Sequence, residues 1–139
     1  MEYGIGTLAT RAGYAVQTLR YFEQIGLMPQ APRTSGGQRR YGEKELRRLL
    51  FIRHARDLGF ELDAVRSLLK LAGHPDAPCE AADAIAVDHL RAIDDKIARL
   101  QAMRVELARM IDACSGGRIG ECRVIDVLAD HGKCISETH

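Results

Sequence analysis

The residues best equipped for chemistry in this 139-residue chain are its four cysteines, Cys79, Cys114, Cys122 and Cys134. Cys114 and Cys122 flank the stretch SGGRIGE, whose Gly116, Gly117 and Gly120 tolerate the dihedrals needed to turn both sulfurs towards one centre. Cys79 follows Pro78 and precedes Glu80, and Cys122 stands in GECR; neither setting is that of a core thiol. Cys114 continues an apolar series and therefore also reads as a small buried hydrophobe. Thiolates at these positions suit soft ions: Zn, Cd, Pb or Hg with three sulfurs, or Cu(I) with two. His131 and Cys134, in DHGKC, offer a fourth donor or a second site, or belong to a plain C-terminal tail. Disulfides are the weaker expectation, because they serve secreted chains too small to build a core.

The net charge is +1, but it is unevenly placed: residues 1–76 carry +4 and residues 77–139 carry −3. An anionic partner belongs to the first half. The apolar runs are only a few residues long, and the opening MEYGIGTLATRAGYAV has polar groups inside any candidate signal core. A cytoplasmic protein without a membrane partner is expected. No nucleophile–base spacing, phosphate loop or HExxH pattern is present, so catalysis is not expected.

Positioning these groups falls to helices. Ile5, Leu8, Ala9 and Ala12 follow helical spacing up to Gly13. Val16, Leu19, Phe22 and Ile25 then share one face of VQTLRYFEQIGL, which ends at Gly26. Two short helices joined by a glycine-containing turn form a helix-turn-helix pattern, which a generic helical hairpin would share. Pro29, Pro32 and Gly36-Gly37 exclude helix from the next stretch, and the alternating QRRY suits a short strand in a small β-wing or an ordinary basic loop. Helices over Glu43–Asp57 and Leu62–Leu71 follow, parted by Gly59.

The break at GHPDAP divides residues 1–76 from a long helix over 77–114, with a loop and tail over 115–139. In the helix Leu90, Ile93, Ile97, Leu100, Leu107 and Ile111 keep a four-three alternation, interrupted by Arg104. A seam this narrow is expected to meet a second copy as a coiled-coil dimer rather than to pack on its own small domain. Cys79 and Cys114 lie 35 positions apart, on the order of 50 Å along a helix. They cannot share an ion within one chain. Antiparallel pairing would bring Cys79 of one chain beside Cys114 and Cys122 of the other, giving two equivalent three-thiolate sites per dimer.

On these consecutive segments the chain resembles the MerR family of bacterial transcription regulators over essentially its whole length. IGTLATRAGYAVQTLRYFEQIGL looks like the family's helix-turn-helix, RTSGGQRRY like its wing, LLFIRHARDLGFELDAVRSLL like its second helical pair, and residues 79–114 like its dimerisation helix. Within the family, FIRHARDLGF and LQAM…DACSGG are most similar to the zinc-responsive ZntR-like branch and its cadmium, lead and mercury relatives. Members that sense Cu(I), Ag(I) or Au(I) carry serine at the position matching Cys79, and a third thiolate suits a dication better than a linear monovalent ion. The chain departs from the zinc pattern at Ser115, where that branch has another cysteine, and in a loop without histidine. Which dication is sensed therefore stays open, and a loop as short as that of the copper branch keeps a Cu(I)/Ag(I) sensor as the second reading.

The resemblance implies an all-α fold with a small β-wing: a winged helix-turn-helix domain, a long antiparallel coiled-coil dimerisation helix and a short metal-binding loop. It further implies a homodimer on promoter DNA that, on binding a divalent soft metal ion, distorts the DNA so that RNA polymerase transcribes resistance or efflux genes. Gln17, Thr18, Arg20 and Tyr21 match the DNA-reading helix, while Arg33, Gln38, Arg39 and Tyr41 match the wing and Arg53 adds a further phosphate contact. Phe22 stands where many members have tyrosine. Outside this class, a metal-buffering protein or a thiol redox switch using Cys114 and Cys122 are the competing readings.

Overall fold

Amphipathic spacing of the kind just described produces six α-helices among the described residues, which are 2–30, 40–113 and 116–134 of a computed structural model. They are α1 (Ile5–Ala12), α2 (Val16–Gln24), α3 (Glu43–Asp57), α4 (Leu62–Ala72), α5 (Glu80–Asp112) and α6 (Arg123–Ala129). Single 3₁₀ turns, Ile119–Glu121 and His131–Lys133, flank α6. The fold is a helix-turn-helix with a long C-terminal helix, as expected. Residues 31–39, the tip of the expected wing, lie outside the described residues. No helix among the described residues is long and apolar enough to cross a membrane.

The chain forms two compact units, residues 1–83 and 84–139. In the first, Leu8, Ala9 and Ala12 of α1, Leu19 and Phe22 of α2, Leu46, Leu49 and Ile52 of α3 and Val65 of α4 are buried in one core. Gly13 ends α1 at φ 77°, the left-handed conformation that lets the chain turn directly into α2. Tyr14 packs edge-on against Phe22 with ring centroids 5.4 Å apart, closing that turn over the core. At the start of α3, Glu45 Oε2 accepts from the Gly42 amide at 2.8 Å, satisfying a donor the helix cannot.

The isolated β-bridge among the described residues pairs Tyr3 with Tyr41 in antiparallel fashion. The Tyr3 amide donates to the Tyr41 carbonyl at 2.6 Å, and the Tyr41 amide returns a bond to the Tyr3 carbonyl at 2.8 Å. The strand character expected of QRRY thus finds its partner in the N-terminus, a pairing across 38 positions that periodicity cannot reveal. Arg11 and Glu43 both bond the Tyr3 hydroxyl, and the Arg11 guanidinium lies 4.7 Å from its ring centroid.

In the second unit α5 carries the seam, with Leu90, Ile93, Ile97, Leu100, Leu107 and Ile111 all exposed within one chain. The segment expected as loop and tail holds more order than its glycines suggested. Val127 of α6 is buried, as is Met110 of α5, and the two line a common cleft of about 240 Å³ with Met103, Glu106, His131 and Cys134. Arg109 fastens this end: its Nη2 donates to Glu106 Oε2 at 3.1 Å and to the Lys133 carbonyl at 2.6 Å. Lys133 Nζ in turn lies 2.6 Å from Asp126 Oδ1.

Candidate DNA interface and metal centre

α2 separates its faces by residue type. Leu19, Phe22 and Glu23 point into the core, whereas Gln17, Arg20 and Tyr21 are exposed and Thr18 is half-buried. Tyr21 is 49% exposed although it is a large aromatic. Among the described residues Gln17, Arg20 and Tyr21 of this face are exposed, and its amide, hydroxyl and guanidinium groups are those that contact base edges and phosphates.

Of the residues expected in the wing, Arg33, Gln38 and Arg39 lie outside the described residues. Tyr41 stands elsewhere than expected: it is 2% exposed, and its hydroxyl donates to Glu23 Oε1 at 2.5 Å. The phosphate contact expected of Tyr41 gives way to a place in the core, because a buried phenol must spend its hydroxyl on an internal acceptor. Glu23, which sequence reasoning passed over, is the buried carboxylate that receives it. Its signal was weak, since one glutamate next to an apolar stripe also reads as a solvated neighbour. Arg53 is exposed, with Nη1 donating to the Ala12 carbonyl at 3.1 Å. That bond is possible because residue 13 is glycine: a Cβ there would stand 1.6 Å from Arg53 Nη1.

The cysteines are dispersed along the second half. Cys79 is exposed immediately before α5, and its carbonyl accepts from the Asp83 amide at 2.9 Å. Cys122 is half-buried at the start of α6, where its carbonyl accepts from the Asp126 amide at 3.0 Å. Cys134 is half-buried in the cleft beneath α6, together with His131. Cys114 and Ser115 lie outside the described residues. Cys79, Cys122 and Cys134 form no disulfide with one another, and among the described residues no three His, Cys, Asp or Glu converge within one chain. The donor set is chemically that of a soft-ion site. A 33-residue α5 is on the order of 50 Å long, which keeps the residue before its first turn from the residues after its last.

A helix-turn-helix with an exposed polar reading face and a long helix bearing an exposed apolar seam defines a DNA-binding regulator. The sequence matches the family model for MerR HTH family regulatory proteins over residues 3–72 and that for MerR, DNA binding over residues 46–110. It is 43% identical to the HTH-type transcriptional regulator ZntR of Escherichia coli K12, over 91% of this chain and 92% of that protein. It is 36% identical to the mercuric resistance operon regulatory protein of Serratia marcescens, over 79% and 75%. The crystal structure of PbrR691 from Ralstonia metallidurans CH34 in complex with lead(II) superimposes with a TM-score of 0.81 at 35% identity, covering 91% of this chain and 98% of that one. The chain belongs to the MerR family of helix-turn-helix transcription regulators and groups with its metal-sensing members. These proteins regulate transcription and are not enzymes.

Proposed function

We propose that this protein is a cytoplasmic regulator that binds promoter DNA as a homodimer and activates metal-resistance or efflux genes through RNA polymerase when a divalent soft ion binds. The observation that carries this reading is the placement of Cys79 and Cys122 before and after α5, a helix whose apolar seam is exposed within one chain. Antiparallel pairing through that seam sets the partner subunit's Cys79 beside Cys114 and Cys122. Three thiolates from two subunits then hold one Zn, Cd, Pb or Hg ion. The lead(II) complex of PbrR691 and the mercuric name of the Serratia relative support the ion class.

On the DNA side, Gln17, Thr18, Arg20 and Tyr21 of α2 read the groove, and Arg33, Gln38 and Arg39 grip phosphates. A guanidinium carries five donors, so Arg53 can hold the Ala12 carbonyl and a phosphate together. Metal acts by favouring the DNA-distorting state; equal affinity for both states would move nothing.

The deciding experiment is titration of the reduced dimer with Cd(II), following thiolate-to-metal ultraviolet absorption. Two ions per dimer, each with the absorption of about three thiolates, are expected. Two-thiolate absorption would exclude Cys79 from the site and put the Cu(I)/Ag(I) reading first.

A further inference from the structure

Three arginines of α3 and α4 reach back to backbone carbonyls at the ends of the two helices before them. Besides Arg53 on the end of α1, Arg48 Nε donates to the Leu27 carbonyl at 2.8 Å and Arg66 Nη2 to the Ile25 carbonyl at 2.9 Å. Both of the latter acceptors belong to the turn that ends α2. There the chain bends back on itself: Gly26 has φ 78°, and the Leu27 and Met28 amides both return to the Phe22 carbonyl, at 2.9 and 3.1 Å. Arg66 lies closely over this turn, its Nη1 3.5 Å from where a Cβ on residue 26 would stand. The two guanidiniums bond carbonyls two residues apart, and burial, then the charge of Arg66, makes Arg48 give up its proton more readily than an ordinary arginine.

Carbonyls at a helix end lack intrahelical donors and carry the negative end of the helix dipole, so cations belong there. The consequence for α2 is mechanical. It is nine residues long; its apolar stripe and the buried Glu23–Tyr41 bond hold its body to the core, and a guanidinium bond from each of α3 and α4 fixes its C-terminal turn.

We infer that Arg48 and Arg66 are positioning residues for DNA reading: they touch no DNA, and they set the angle at which α2 presents Gln17, Arg20 and Tyr21 to the bases. The inference rests on the reading that α2 faces DNA. It separates these arginines from phosphate contacts, although all arginines of the basic half look alike by composition. A phosphate contact contributes to affinity for every sequence and to its salt dependence; a positioning residue contributes to the preference for the cognate site.

The test uses the full-length dimer, a duplex selected by the wild-type protein from a randomised pool, and a scrambled duplex of equal length. Arg66→Ala, at an exposed position, and Arg48→Ala are each expected to weaken cognate binding roughly tenfold, the scale of one charge-assisted hydrogen bond. Binding to the scrambled duplex and the slope of affinity against salt stay as in wild type. Arg48→Lys, which keeps one donor, recovers part of the loss. A slope smaller by about one per arginine would make them phosphate contacts and overturn the inference. Unchanged cognate binding with a lowered melting temperature would overturn it too, as a purely structural role. Should Arg48→Ala fail to fold, Arg66→Ala and Arg48→Lys decide alone. Arg20→Ala is the control: if it leaves the cognate preference intact, the reading of α2 fails, and the arginine result is then judged on salt slope and stability.

Discussion

The Tyr41 hydroxyl donates to the Glu23 carboxylate at 2.5 Å inside the core, joining the base of the wing segment to α2, the helix proposed to face DNA. A residue of the basic segment is thereby held to α2 from within. Tyr41→Phe removes one hydrogen bond from a buried carboxylate and is expected to cost about 1–2 kcal/mol in urea unfolding. The salt dependence of DNA binding should not change; a smaller slope would return Tyr41 to the phosphates.

Gly13 is required twice, by its φ of 77° and by the Arg53 guanidinium that occupies the space a Cβ would need. Gly13→Ala is expected to lose about 1–3 kcal/mol through backbone strain and the displaced Arg53 bond. Gly6, in the first turn of α1 with nothing within 4 Å of an added Cβ, is the comparison. Gly6→Ala should be neutral or gain up to about 1 kcal/mol. Equal melting temperatures for the two variants would contradict this account.

The seam of α5 carries the dimer prediction. Ile97 is exposed within one chain, and a carboxylate in the middle of a paired seam would be desolvated without a partner. Ile97→Asp should turn the dimer into a monomer in sedimentation velocity, with helical content kept in residues 1–83. A dimer that persists would place the contact elsewhere.

Cys79→Ser tests the shared metal site directly. The Cd(II) absorption per ion should fall by about one third, as three thiolates become two, and metal induction of a reporter promoter should be lost. Binding to DNA without metal should be unchanged, because Cys79 stands outside the helix-turn-helix.

Asp126 supplies a pH dependence. The hydrogen bond from Lys133 holds its carboxyl below the usual range against the opposing effect of desolvation, with smaller help from the charges of Lys133 and Arg123. A carboxyl lowered in the folded state stabilises above its unfolded value and loses that contribution as pH falls through the folded one. Amide protection across residues 123–134 should therefore hold from neutral pH down to about pH 4 and decline below it. Asp126→Asn should flatten this dependence; a wild-type profile already flat below pH 4 would exclude the role.

The sequence by itself determined α1 to α5, the exposed polar face of α2 and the seam of α5. Each depends on the spacing of apolar residues along a single element, and helical geometry makes that spacing a local property. It also supplied the soft-ion chemistry, since sulfur donors are recognisable by type wherever they stand. Tertiary structure decided what the polar side chains do. Tyr41, Arg53 and Arg66 find acceptors 18, 41 and 41 positions away, and the identity of such an acceptor is written in no stretch around the donor. It also gave order to α6, where Arg109 of α5 reaches the carbonyl of Lys133. A guanidinium or phenol carries the same donors whether it meets a phosphate, a carboxylate or a helix end. Only the folding of the surrounding helices selects the partner: it brings one acceptor within reach, and for the buried Tyr41 it also removes water as the alternative.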